Sequence, residues 1–273
     1  MRPGADHGRA RSLAAGVDSR TEEVSGRADV IRAARVDFIH ARVTLLAFPR
    51  DLRVTIAGIE DQGIYEQRVN AAYVYGDLYR GNGMGPSVLA QTLYTNFGLE
   101  VDRYFALTMG SFAEAVDALD GVDFYLDKPV DGRSQGLIYF DAGWHHLNGD
   151  QVVKFSRIRY PDTDFHRIQR QTQMLMALRD RALEPENWTK IPGLVETFLA
   201  STTTDLSSAQ IASLICLLPK VKPEAIQSLS VTRDMTTSWT TNTGANVLLP
   251  QVELIRELVA SFLRGEATSA ISD

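Results

Sequence analysis

Apolar positions alternate with polar ones in short runs along most of the chain, and runs of helical period lie between them. Leu13-Ala14-Ala15-Gly16-Val17 is a short apolar run closed by Asp18-Ser19-Arg20, and it predicts a buried strand with a loop behind it. Val30–Val36 and Val43–Phe48 predict two more strands. The second is apolar except for Thr44, as a strand covered on both faces would be. It stops at Pro49-Arg50-Asp51, because proline cannot donate to a ladder. Helical spacing then predicts a short helix over Asn70–Tyr75, closed by Gly76, and another over Ser87–Phe97. Tyr104–Met109 and Val122–Leu126 read as strands, with a helix over Phe112–Leu119 between them. Helices follow at Asn148–Phe155, Phe165–Leu183, Ile191–Ala200, Ser207–Leu218 and Gln251–Leu263, and a late strand at Ile226–Val231.

Strands and helices alternate over the whole length, and no Ser/Pro/Gly-rich linker divides them. The expected architecture is one α/β domain over residues 12–265, with helices on both sides of a mixed sheet. Residues 1–11 are polar and without period and read as a disordered lead; 266–273 read as a flexible tail. Composition narrows the class. With 44% hydrophobic and 23% charged residues the 273-residue chain is globular, and its single Cys216 excludes an internal disulfide framework. A net charge of -6 argues against a broad nucleic-acid surface. No apolar stretch approaches the roughly 18 residues of a membrane span, and the opening residues lack a signal-peptide core.

The departure from ordinary patterning lies at Arg157–Gln171, R-x-R-x4-D-F-x-R-x2-R-Q. Asp164 suits the N-cap of the following helix, whose apolar stripe runs through Met174, Leu175, Leu178 and Ala182. Continued backwards by three and four residues, that stripe reaches Gln171, Arg170 and Arg167, so cations turn inward over the first two turns. An unpaired buried Arg costs several kcal/mol, so these side chains require anionic partners or a wet pocket. One reading is a structural ion-pair network with Asp162 and Asp164. The other is an anion pocket, since guanidinium forks match phosphate oxygens.

A second polar set lies at strand ends: Asp18 and Arg20, Arg27 and Asp29, Arg50 and Asp51. Ligands of α/β sheets gather at strand ends, and two Asp with a phosphate commonly hold Mg2+. Other features carry less. Gly81-x-Gly83-x-Gly85 has no preceding strand and reads as a flexible loop. His145-His146 lacks a third ligand and reads as surface or cap chemistry, and Cys216 in its leucine-rich helix reads as core. Ser111 does not sit in a G-x-S-x-G elbow.

Together these segments resemble the LytR-CpsA-Psr family of cell-wall glycopolymer ligases, collinearly from about Leu13 to Leu263. The carrying motifs are G-x-D-x-R (Gly16, Asp18, Arg20), R-x-D (Arg27, Asp29), F-P-R-D (Phe48–Asp51) and R-V-N-A-A-Y-x-Y-G (Arg68–Gly76). V-D-A-L-x-G-V-D (Val116–Asp123), G-W-x-x-L-N-G-D (Gly143–Asp150) and the Arg157–Gln171 block complete the set. Two departures stand out: Arg32 interrupts a usually apolar strand, and Arg68 replaces a common Lys.

The resemblance implies a three-layer α-β-α catalytic domain around a central mixed sheet. It implies transfer of a glycopolymer phosphate from a polyprenyl-pyrophosphate carrier to a peptidoglycan sugar hydroxyl, with polyprenyl phosphate leaving. The positions matching Asp18 and Asp29 would hold Mg2+, with Mn2+ as a substitute. Those matching Arg50, Arg157, Arg159, Arg167 and Gln171 would contact pyrophosphate oxygens, with Arg20 and Arg27 beside the metal positions. Asp164 would orient the arginines or help to deprotonate the acceptor. A prenyl tail would need an apolar groove, for which Val88–Phe97 and Phe112–Leu119 are the candidate linings. Such a protein works at the extracytoplasmic face of the membrane, usually behind an anchoring helix; here the family core starts almost at once, so a shortened N-terminus or an unusual member is expected. A polyprenyl-pyrophosphate hydrolase and a non-catalytic polyprenyl-phosphate-binding module are the alternatives. Retention of both the Asp pair and the arginines speaks against the latter, and the acidic chain without a helix-turn-helix speaks against a transcription regulator.

Overall fold

The computed structural model describes residues 9–18, 26–158 and 164–266. The chain forms two compact units, Met1–Ala106 with Thr203–Asp273, and Leu107–Thr202. In sequence, the second unit is inserted in the first.

In chain order the elements are β1 (Arg9–Asp18), β2 (Arg27–Asp37), β3 (Arg42–Phe48), β4 (Arg53–Thr55), β5 (Glu66–Arg68), α1 (Ala71–Arg80), α2 (Gly85–Phe97) and β6 (Arg103–Thr108). There follow α3 (Met109–Ala118), β7 (Val122–Leu126), β8 (Val130–Asp131), β9 (Tyr139–Phe140), β10 (Gly143–Leu147), α4 (Gly149–Arg157), α5 (Asp164–Leu183) and α6 (Ile191–Ala200). The last are β11 (Thr202–Thr204), α7 (Ser208–Leu217), β12 (Ile226–Ser230), β13 (Thr236–Thr240), β14 (Asn246–Pro250) and α8 (Val252–Arg264).

Six strands form the central sheet in the order β11-β6-β1-β2-β3-β12. β1, β2 and β3 pair antiparallel while β12 joins β3 in parallel, so the sheet is mixed. The alternation seen along the chain is what stacks its core. Leu13 lies opposite Ala33, Ala33 opposite Leu46, and Ile31 opposite Phe48. This face packs on Tyr73 of α1, on Leu89, Leu93 and Phe97 of α2, and on Ile255, Val259 and Phe262 of α8. The other face presents Val36, Val43 and Ile226 to Leu214 and Leu217 of α7. Helices therefore cover both faces, as the alternation of elements predicts.

The second unit has its own core, in which Phe155 meets Phe124 and Phe140 edge-on at ring separations of 5.2 Å. Its helix α4 starts with a capping box. Asn148 Oδ1 accepts from Gln151 N at 3.0 Å while Gln151 Oε1 accepts from Asn148 N at 3.0 Å. Among the described residues no helix is long and apolar enough to cross a membrane.

Three expectations need correction. The lead read as disordered to residue 11 gives way to β1 at Arg9, where Arg11 forks onto Asp102 at 3.1 Å and so satisfies a polar strand end. Gly76 does not close a helix; α1 runs through it to Arg80. A Cβ there would stand 2.7 Å from Gly85 Cα, so glycine is needed for close approach of α1 and the start of α2, not as a stop signal. Cys216 is exposed, because α7 turns Leu214 and Leu217 inward instead. The short strands β4, β5, β13 and β14 carry no periodic signal long enough to read from sequence.

Candidate functional site

The first cluster is built where β1 and β2 lose register. Gly16 pairs with Val30 and the next residue, Val17, with Ala28, so Asp29 is the extra residue of a β-bulge. A bulge re-aims the side chain it carries. Here the carboxylate meets Arg50, with Oδ2 2.5 Å from Arg50 Nη1, while Asn70 Nδ2 donates to Oδ1 at 3.4 Å. Arg50 owes its place to Pro49, which ends β3 and turns the chain. The backbone ties the three segments together: Ala28 N donates to Asn70 O at 3.3 Å, and Asn70 N to Arg50 O at 3.4 Å. Asp51 adds a second carboxylate, 3.7 Å from Arg50 Nε and 3.3 Å from Arg68 Nε. Asp18 ends β1 half-buried, directly across from the exposed Arg27. Arg20 lies outside the described residues.

These groups suit a hard divalent cation. The donors are carboxylate and amide oxygens, the ligands that Mg2+ and Mn2+ prefer. Asn70 is buried, and its Oδ1 has no hydrogen-bond partner among the described residues, so it is an acceptor suited to a water of a hydrated ion. Among the described residues no group of three or more His, Cys, Asp or Glu gathers as a protein-only metal cage. Asn70 was not singled out from sequence; its one signal was its place inside the R-V-N-A-A-Y motif.

The second cluster belongs to the other unit. Arg157 is the last residue of α4 and half-buried, and α5 begins at Asp164. As the stripe predicted, Arg167, Arg170 and Gln171 are buried on the first turns of α5, beneath Met174. Arg170 Nη2 donates to the Ile158 carbonyl and its guanidinium lies over the Phe155 ring at 5.9 Å. Gln171 Nε2 reaches Ser156 O at 3.5 Å. Both side chains therefore hold the C-terminal end of α4, satisfying carbonyls that helix ends leave open. Arg159, Asp162 and the Asp164 side chain lie outside the described residues.

The minor features resolve simply. His145 and His146 point to opposite faces of β10, one to Asp141 O and the other to Asp123 Oδ1, each at 2.8 Å. Ser111 donates its backbone N–H to Thr108 Oγ1, the N-cap of α3. Gly85 receives the Asp77 carboxylate on its N–H at 2.7 Å. Val88, Leu89, Leu93 and Phe97 pack into the core of the first unit, and Val116 into that of the second.

A mixed α/β protein with carboxylates and guanidinia collected at strand ends carries the side chains that phosphorylated ligands require. The chain matches the LytR_cpsA_psr family model over residues 5–258, and it belongs to that family. It is 28% identical over 221 residues to the polyisoprenyl-teichoic acid–peptidoglycan teichoic acid transferase TagV of Bacillus subtilis, covering 79% of this chain and 54% of that one. It is 29% identical over 197 residues to a transferase of the same description, TagU of Halalkalibacterium halodurans, covering 71% and 60%. The chain thus spans little more than half the length of these relatives. The crystal structure of B. subtilis TagV superposes with a TM-score of 0.74 at 25% identity, covering 94% of this chain and 97% of that one. A structure described as TagT bound to LI-WTA shares the fold at a TM-score of 0.74 and 18% identity, covering 98% and 95%.

Proposed function

We propose that this protein transfers a phosphate-linked glycopolymer from a polyprenyl-pyrophosphate carrier to a sugar hydroxyl of peptidoglycan, at the extracytoplasmic face of the membrane. The single observation that carries the reading is Asp29, re-aimed by the bulge onto Arg50 and Asn70. The named activity of relatives that match most of the chain supports it. On this reading Asp18 and Asp29 hold Mg2+, with Mn2+ able to replace it, and Asn70 holds a water of that ion. The ion, when bound, neutralises charge on the pyrophosphate and on the departing phosphate.

The protein's own groups do the rest. Arg50, Arg157, Arg159, Arg167 and Gln171 bind pyrophosphate oxygens, and Arg20 and Arg27 add positive charge beside the carboxylates. Asp164 orients the arginines or takes the proton from the attacking hydroxyl. Phosphoryl transfer asks mainly for positioning and for fixed charge where charge develops, and guanidinia on strand ends and helix turns supply both.

Purified protein is expected to release polyprenyl phosphate from a lipid-linked glycan donor only with a divalent ion present. Arg157→Ala or Arg159→Ala is expected to lower that rate about 100-fold, the usual cost of one electrostatic contact to a transition state. Unchanged release in both variants would remove these residues from the site. Product analysis separates ligase from hydrolase: glycan bound to peptidoglycan shows transfer, and free phosphorylated glycan shows water as the acceptor.

A further inference from the structure

The first unit contains a cleft of about 470 Å³ in which Arg27, Arg53 and Arg68 face a single carboxylate, Glu66. Its formal charge is +2, three guanidinia less one acid, on a chain whose net charge is -6. Arg53 and Arg68 are direct cross-strand partners on β4 and β5. Like charges in that position weaken a strand pair unless each has an anion beside it. Glu66 supplies one at 3.0 Å from Arg53 Nε, and Asp51 another at 3.3 Å from Arg68 Nε, and both guanidinia still line the cleft.

The opposite wall comes from the β13–β14 hairpin. Trp239 stays 40% exposed there, with the Arg53 guanidinium 4.9 Å over its ring, and the turn adds Thr241, Asn242 and Thr243. An exposed indole among short hydrogen-bonding side chains suits a sugar, whose C–H face packs on the ring while its hydroxyls meet the polar groups. The walls are fixed in advance. Arg68 Nη2 donates to Asn246 O at 2.6 Å, Leu248 N to Asp51 O at 2.9 Å, and Ala245 N to Thr241 Oγ1 at 3.0 Å. Little order therefore has to be imposed on binding.

We infer that this cleft binds one acidic sugar unit of a glycan, with its ring on Trp239 and its carboxylate or phosphodiester on Arg53 and Arg68. The inference deepens the transferase reading and rests on it for the expectation that the ligand is a glycan. The acid group has two sources: a lactyl carboxylate of a peptidoglycan strand freed of the stem peptide that otherwise holds it as an amide, or a phosphodiester of the transferred polymer.

Calorimetric titration of the intact protein, without divalent ion or lipid, tests this with three probes. These are peptidoglycan glycan strands stripped of peptide, lipid-free polyol-phosphate teichoic acid, and a neutral chitin oligosaccharide. At least one acidic glycan is expected to bind 10-fold or more tightly than the neutral one, and to weaken as salt rises. Preference for the peptidoglycan strands marks an acceptor subsite, and preference for the teichoic acid marks a donor subsite. Equal binding of the two supports the cleft without a choice of source. Trp239→Ala and Arg68→Gln are each expected to weaken binding at least 10-fold, while Trp239→Phe keeps it within about 3-fold. Equal affinity for the neutral glycan, no binding of any probe, or unaltered binding in the Ala and Gln variants overturns the inference. Because the titration contains neither carrier lipid nor metal, its outcome is independent of whether the protein releases polyprenyl phosphate.

Discussion

Asp37 shows how a single side chain stores stability that depends on pH. Burial on its own would raise this carboxyl. The backbone N–H groups of His40 and Ile39, each 3.0 Å from Oδ1, and the His40 ring at 3.1 Å outweigh it and hold the pKa at about 2. A depressed carboxyl contributes in full above its unfolded value near 4, and the contribution is lost as pH falls through about 2. Thermal melts between pH 5 and 2 are therefore expected to show a loss of stability that Asp37→Asn lacks, on the order of 1–2 kcal/mol. A second residue tests packing. A Cβ on Gly149 would stand 2.2 Å from Ala113 O, where α4 starts against α3. Gly149→Ala is expected to cost about 1–3 kcal/mol, read as a lower midpoint in denaturant at unchanged slope. The partners of Asp37 are local, two and three residues on, whereas the neighbour of Gly149 is not encoded by local spacing and could not be read from the chain. Arg32 makes the complementary case. It was visible as an interruption of an apolar run, and it proves to be buried, with desolvation lowering its pKa to about 10.

At the scale of elements, α4 and α5 were legible almost to the residue, since N-caps and helical period are local signals. Removing the Asn148 cap by Asn148→Ala is expected to cost about 1 kcal/mol and lower the melting temperature by roughly 2–4 °C in calorimetry. The inward arginines of α5 were also legible, because a stripe of period 3.6 continues whether its members are Met or Arg. Their work was less so. Arg170 and Gln171 hold the end of α4, which only the approach of the two helices reveals. The hairpin β13–β14 was missed for the opposite reason: Thr-Thr-Ser-Trp-Thr of β13 carries little apolar contrast, and the apolar run of β14, Val247–Leu249, is too short to show a period.

For the whole molecule, the net charge of -6 is an average over opposed local fields. Acidic surface coexists with a cleft of charge +2 and with guanidinia buried on α5. A ligand that binds only the folded protein raises its stability by mass action, about 2.7 kcal/mol at 100 times its Kd. Mg2+ together with a soluble prenyl pyrophosphate is accordingly expected to raise the melting temperature of the protein, and Asp29→Asn to abolish that shift. An equal shift in the variant would exclude Asp29 from the metal and phosphate site.

Sequence by itself determined the fold class, the faces of the sheet and helices that turn inward, and the acids and arginines available for chemistry. Each of these depends on spacing within a few residues, where backbone geometry sets which side chains share a face. Tertiary structure decided which of those groups meet. A one-residue slip between β1 and β2 aims Asp29 at Arg50, and pairing across 178 residues brings Arg68 to the carbonyl of Asn246 and closes the cleft beside Trp239. Register and chain closure are set by the packing of the entire core, so no local pattern carries them.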